Sequence, residues 1–184
     1  MQRRSILAIA AVTALGFAIL PGRALAQQNQ PAAPPQPKTI KSQIVGAWNL
    51  LLADQVKEDG THVPLYGPNP MGILIFTPDG HYSAQIMRVN RPKFVSNNTQ
   101  TASADETKAV VAGTISHFGT YTVDEAAKTF TVHIEGSSFP NWDGTKQTRN
   151  ITAITDEVLS YDNKTPTRQY GPGDHSELAW KKYK

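Results

Sequence analysis

Six residues between positions 117 and 149 have side chains suited to proton and charge chemistry: His117, Tyr121, His133, Glu135, Gln147 and Arg149. An imidazole exchanges protons near neutrality, and a phenol hydroxyl can partner it. A guanidinium can hold a carboxylate or enolate through two parallel hydrogen bonds. The first four lie in HFGTYTVDEAAKTFTVHIEG, residues 117–136, which reads as two strands around an acidic turn. With the hairpin centred near Ala126, alternation sets His117, Gly119 and Tyr121 beside Thr131, His133 and Glu135. A second loop centred near Trp142 adds Gln147 and Arg149 to that face. Phe118, Thr120, Thr122, Phe130, Val132 and Ile134 then share the other.

Two readings follow from the alternation. In one, Phe130–Ile134 fill a core and the His133 face meets water, as half-buried antiparallel sheets usually do. In the other the polar face is internal, and Ile151 and Ala153, of the same parity as Arg149, favour its burial. A buried His-Tyr-Glu-Arg set would then satisfy its hydrogen bonds internally and tune pKa values for proton transfer. A one-residue slip or a bulge exchanges the faces.

Other candidates stand apart from this cluster. Tyr82 and Arg88 share a parity after the Pro-Asp-Gly turn and suit a rim or a ligand contact. Trp142, in Pro140-Asn141-Trp142, either closes over a ligand or packs on its own loop. His133 and Glu135 offer two ligands from one strand, but no His-x-x-x-His pair accompanies them, and neither a metal nor a cofactor is expected. The chain has no cysteine, which excludes thiol catalysis and thiolate metal sites. No Gly-x-Ser-x-Gly elbow and no Gly-rich phosphate loop occurs.

The elements that must position these residues are mostly strands. Gly46–Leu51 opens the pattern. Residues 71–87, MGILIFTPDGHYSAQIM, read as a hairpin around Pro-Asp-Gly. Further strands are expected at Phe118–Val123, Phe130–Glu135, Gln147–Thr155, Glu157–Tyr161 and Leu178–Tyr183. Short strands at this spacing predict an all-β antiparallel sandwich or barrel. One short helix is expected within SADETKAVVAGTI, residues 103–115, behind a Ser or Asp cap and laid against or across the barrel mouth. Loops 57–70 and 136–146 would form rims.

The amino terminus has a different logic. Arg3 and Arg4, the apolar run Ile6–Leu20 and Ala24-Leu25-Ala26 form the three parts of a secretory signal over residues 1–26, and the paired arginines suit a twin-arginine or a general export route. Residues 27–39, QQNQPAAPPQPKT, read as a Pro-rich linker, leaving one domain over 40–184. The full chain has 18 Lys+Arg and 15 Asp+Glu. Taking Arg3, Arg4 and Arg23 away with the signal balances the two. A neutral mature chain argues against a nucleic-acid partner and against attraction to anionic membranes, and the apolar run is too short for a membrane span. The expectation is a periplasmic or secreted protein.

IVGAWNLL, MGILIFTPDGHYSAQIMR, FGTYTVDEAAKTFTVHIEGSSFPNWDGTKQTR and LAWKKY, in this order, are similar to the bacterial and fungal lipocalin-like domain family. The resemblance covers nearly all of residues 43–184. It implies a small calycin-type antiparallel barrel with an internal cavity, but no agreed reaction. It also implies that Trp48 plugs the closed end, with Lys181 or Lys182 set over it. The leading expectation is an exported barrel that binds a small apolar or amphipathic molecule. The alternative is an isomerase, cyclase or hydro-lyase of the same fold. There His133 would be the acid or base, His117 or Tyr121 its partner, and Arg149 the stabiliser of negative charge.

Overall fold

The computed structural model describes residues 37–164 and 171–184. The expected signal peptide, and the linker up to residue 36, lie outside the described residues. Strands β1 (Gly46–Val56), β2 (His62–Pro64), β3 (Met71–Phe76) and β4 (His81–Met87) come first. A helix and five further strands follow: β5 (Thr114–Asp124), β6 (Thr129–Ser137), β7 (Lys146–Ile154), β8 (Val158–Asn163) and β9 (His175–Lys182). Every pairing is antiparallel, in the order β2-β1-β3-β4-β5-β6-β7-β8-β9, and β1 also pairs with β9. That last pairing closes the sheet into a barrel and removes its edges. The short β2 was expected to be loop; it adds to the far end of β1 through Asp54–Val56.

The alternation written into the strands becomes the inside of the barrel. Leu74 and Phe76, Tyr82, Ala84 and Ile86, Phe130, Val132 and Ile134, Leu159 and Tyr161, and Leu178 and Trp180 are all buried. The Pro-Asp-Gly turn joins β3 to β4 as expected, with Gly80 at φ 95° and its amide donating to the Thr77 carbonyl. A Cβ-free residue is needed at such a φ.

One end is sealed. Helix α1 (Ile40–Ile44), which the sequence reading did not anticipate, puts the fully buried Ile44 there. Its first amides, Ile40 and Lys41, donate to the Glu125 carboxylate at 2.8 and 2.9 Å, satisfying donors that a helix start leaves free. Trp48 is fully buried beside Ile44 and gives its indole N–H to the Ile44 carbonyl at 2.8 Å. Lys182, rather than Lys181, caps this Trp, with Nζ 4.8 Å from the ring centre. Its ammonium also donates to the Gln43 carbonyl at 2.9 Å. Gly46 makes room, because a Cβ there would lie 2.8 Å from Lys182 Cε.

The other end carries the longer loops. Helix α2 (Ala104–Ala112) lies at this end and starts on a capping box in which Ser103 and Glu106 bond each other's backbone amides. It is the expected helix. None of its residues is fully buried, so the box rather than core packing defines its start. Loop 57–70 folds Leu65 and Tyr66 inward, the Leu65 amide donating to the Ala53 carbonyl at 2.9 Å.

Candidate functional site

The register of two loops decides which polar side chains enter the barrel. In the β5–β6 hairpin, Asp124 pairs with Thr129 and Tyr121 with Val132. The loop therefore has an even number of residues, and its pivot falls between Ala126 and Ala127 rather than on Ala126. Lys128 sits at φ 54°, and Asp124 Oδ1 accepts from the Ala127 amide at 2.9 Å. Between β6 and β7, Val132 pairs with Gln147 and Phe130 with Arg149, so that pivot lies between Phe139 and Pro140 and not near Trp142. Each shift exchanges a face, because side chains alternate with every residue. His117, Tyr121, Gln147 and Arg149 therefore join Phe130, Val132 and Ile134 inside. His133 and Glu135 take the outward parity, His133 half-buried and Glu135 exposed. The expected six-residue face is thus divided, and each earlier reading holds for part of it.

A bulge completes the arrangement. Phe118 pairs with Gly136 and Gly119 with Ile134, which leaves Glu135 as the extra residue on β6. Gly119 lies so close to β6 that a Cβ would stand 2.0 Å from the His133 carbonyl oxygen. On β5 the alternation runs on unbroken past this bulge, so His117 stays in step with Gly119 and Tyr121, and its ring meets Tyr82 and Trp142.

Inside the barrel lies a cavity of about 60 Å³, room for a few waters and less than half of the roughly 150 Å³ in which a buried benzene is held. Leu74, Ile86, Ile115, Phe130 and Leu178 give it apolar walls, and His117, Trp142, Arg149, Tyr161 and Asn163 supply ring faces and polar atoms. Trp142 belongs to a 3-10 turn (Pro140–Trp142) and is buried. Its ring stands edge-on to His117 at 5.6 Å and to Phe139 at 5.8 Å. The rim aromatic is thus turned inward, packed both on the cavity wall and on Phe139 of its own loop.

Arg149 is the unusual member. It is 4 % exposed, and its Nη1 and Nη2 donate to Asn163 Oδ1 at 2.9 Å and Gln147 Oε1 at 2.6 Å. Both acceptors are neutral amides. All 15 carboxylate side chains of the chain lie among the described residues, and none forms an ion pair with Arg149. A buried cation without a counter-charge costs several kcal/mol of lost hydration. Burial accordingly lowers the Arg149 pKa, opposed in part by Tyr161 and Tyr82. Those tyrosines do not neutralise it: burial outweighs Arg149's charge in both, raising Tyr82 well above an ordinary phenol and Tyr161 to about 12. His117 is held down to about 3 by burial first and the Arg149 charge second, so it is neutral at pH 7. Its Nδ1 shares a 2.8 Å hydrogen bond with the Tyr82 hydroxyl.

The remaining candidates sit away from the cavity. Tyr82 lies behind His117 and orients it. Tyr121 is nearer the sealed end, its hydroxyl donating to the Thr77 carbonyl at 2.9 Å and its ring 4.8 Å from Phe76. Arg88 is exposed just past β4, its amide tied to the Gly113 carbonyl at 2.8 Å. Gln147 was expected on the polar face, whereas Tyr161, Asn163 and Ser176 were not anticipated from the sequence. The parity of β8, with Leu159, Tyr161 and Asn163 in step, is the signal that would have found two of them. Among the described residues no group of three metal-ligating side chains gathers, and no helix is long and apolar enough to cross a membrane.

The chain is similar to several known proteins. A 4'-hydroxy-3'-methoxypropiophenone carrier protein of Aspergillus oryzae is 29% identical over 106 residues, covering 54% of this chain and 95% of that protein. A lipocalin-like protein from Bacteroides uniformis superposes with a TM-score of 0.40 at 15% identity, over 77% of this chain and 99% of that one. A redesigned β-barrel gives 0.39 at 16% identity, over 78% and 95%. The sequence profile of the lipocalin-like domain matches residues 45–183, which is most of the chain. The chain belongs to the lipocalin-like domain family.

Proposed function

We propose that this protein is a carrier that encloses a small, largely apolar aromatic molecule in its barrel. The observation that carries the reading is the cavity inside the barrel, apolar and aromatic on its walls, with polar groups gathered at Arg149 and Asn163. Ligand sites of this kind bury an apolar body and fix its orientation with a few polar atoms. The Aspergillus relative, described as a carrier of an aromatic ketone, supports the same class of activity.

The acid–base alternative is less well served. His133, its expected acid or base, is on the outward parity of β6. The inward His117 is held near 3 and its partner Tyr82 is raised, whereas efficient proton transfer needs pKa values near the working pH.

Titration with 4'-hydroxy-3'-methoxypropiophenone and with phenol, followed by tryptophan fluorescence and thermal melting, tests the carrier. Saturable quenching with a raised melting temperature is expected, and Trp142→Phe should remove most of the quenching. A flat response to both compounds would overturn the reading.

We also propose that the chain is exported with residues 1–26 as its signal, on the basic start, apolar run and Ala24-Leu25-Ala26. Terminal sequencing of the protein from its native host should then begin at Gln27; recovery of Met1 would refute it.

A further inference from the structure

We infer that the molecule this barrel carries is a singly charged organic anion, a small aromatic acid whose carboxylate docks on Arg149. The inference rests on the carrier reading and adds the ligand's charge and the residues that read it. Three observations converge on it. Arg149 is buried within the cavity wall, and none of the chain's carboxylates pairs with it. Its protein partners, Gln147 and Asn163, are neutral acceptors that take one N–H from each terminal nitrogen. The guanidinium's other N–H groups have no acceptor among the described residues.

The second observation is Gln147 itself. It is 2 % exposed, and its Nε2 is buried with no hydrogen-bond partner. Because Oε1 is committed to Arg149 Nη2, the amide orientation is fixed and the free donor lies beside the guanidinium. Unused donors thus cluster at Arg149, the one buried cation among the described residues. Such a cluster matches a carboxylate, which only accepts hydrogen bonds and brings the missing negative charge.

The third concerns how many charges the site takes. His117 faces the same cavity and bonds the neutral Tyr82, and burial together with Arg149 keeps its ring uncharged. Among the described residues Arg149 is then the only cation lining the cavity. One positive charge balances one negative charge, so a dianion would leave the excess in an apolar enclosure. Phe130, Trp142 and Tyr161 in the wall offer faces for a flat ring behind the acidic group, and the cavity must widen to admit it.

The test is isothermal titration of the full mature chain with benzoate and with benzamide, its neutral counterpart of the same shape. Benzoate should bind the parent about tenfold more tightly or better, as expected of a charge-assisted pair. Arg149→Met should keep benzamide binding and lose the preference. Its ligand-free melting temperature should equal or exceed the parent's, since replacing an uncompensated buried charge by an apolar side chain is often stabilising. Gln147→Leu should weaken benzoate more than benzamide. Should Arg149→Met fail to fold, Gln147→Leu decides: reduced selectivity supports the inference and unchanged selectivity overturns it. Equal binding of the two compounds by the parent overturns the anion assignment and leaves the carrier standing. If benzoate, benzamide and 4'-hydroxy-3'-methoxypropiophenone all fail to bind, the carrier reading and this inference fall together.

Discussion

His117 makes a prediction that belongs to a single side chain. Folded, it titrates near 3; unfolded, it should titrate near 6.5. Between those values the unfolded chain binds more protons, so stability rises with pH in that window and is lost as pH falls from about 6.5 toward 3. The slope from this residue is at most about 1.4 kcal/mol per pH unit, and less to the extent that water reaches the ring. The lowered carboxylates Asp59, Asp79, Glu106 and Asp174 act in the same direction, but over the acidic range at and below their ordinary values. Urea denaturation at pH 6.5 and pH 5 therefore isolates the imidazole. The parent should lose stability between them, and His117→Gln should flatten the difference. A variant as pH-sensitive as the parent would show that His117 is not held neutral. His133, on the outer parity, offers the control: His133→Ala should change stability by no more than about 0.5 kcal/mol and leave ligand binding alone.

At the scale of the element, the β5–β6 pair depends on one close approach. Gly119 faces the His133 carbonyl where a Cβ would lie 2.0 Å from the oxygen, and the neighbouring Glu135 amide would be 2.9 Å away. Both neighbours are backbone, so neither can swing aside as a side chain would. Gly119→Ala must push the strands apart beside His117 and disturb the bulge at Glu135. We expect a loss of more than about 2 kcal/mol by urea denaturation, with benzoate binding impaired even where the protein stays folded. A variant as stable as the parent would mean that the strands are not so closely apposed. Helix α2 presents the opposite case: its capping box is complete but none of its residues is fully buried, so its stability is local and contributes little to the barrel.

For the whole molecule, barrel closure ties the two ends of the chain together. β1 and β9 pair along most of their length, from Trp48 with Lys182 to Val56 with His175. The Lys182 ammonium then joins the last strand to α1 through the Gln43 carbonyl and to the plug through the Trp48 ring. Lys182→Met keeps most of the side chain's length and removes both interactions. It should cost about 1–2 kcal/mol in urea denaturation, while the cavity, on the other side of the plug, keeps its ligand affinity. Equal stability of variant and parent would remove the closure role. With residues 1–26 removed as proposed, acidic and basic side chains balance, and a steeply salt-dependent association with DNA or RNA would contradict the expectation drawn from that balance.

Much of this architecture is local information and was legible without the fold. Asp79-Gly80 marks a tight turn by its backbone requirements, the apolar run MGILIF and the alternation in HYSAQIM mark strands, and a Ser or Asp cap marks a helix start. Each depends on residues a few positions apart. The inside and outside of β5–β7 were not legible in that way. With a side-chain period of two, moving a pivot from Ala126 to the gap after it reverses a strand, and only the paired hydrogen bonds settle where the pivot lies. Trp142 could be placed in a loop from its neighbours, but whether that loop folded over the cavity depended on the space that His117 and Phe139 left for it. Arg149 shows the limit most clearly. Its side chain is plainly a cation in the sequence, but its isolation is a statement about the positions of every carboxylate in the chain. Only the closed barrel, which brings Gln147 and Asn163 to the guanidinium and keeps the acids away, could decide that.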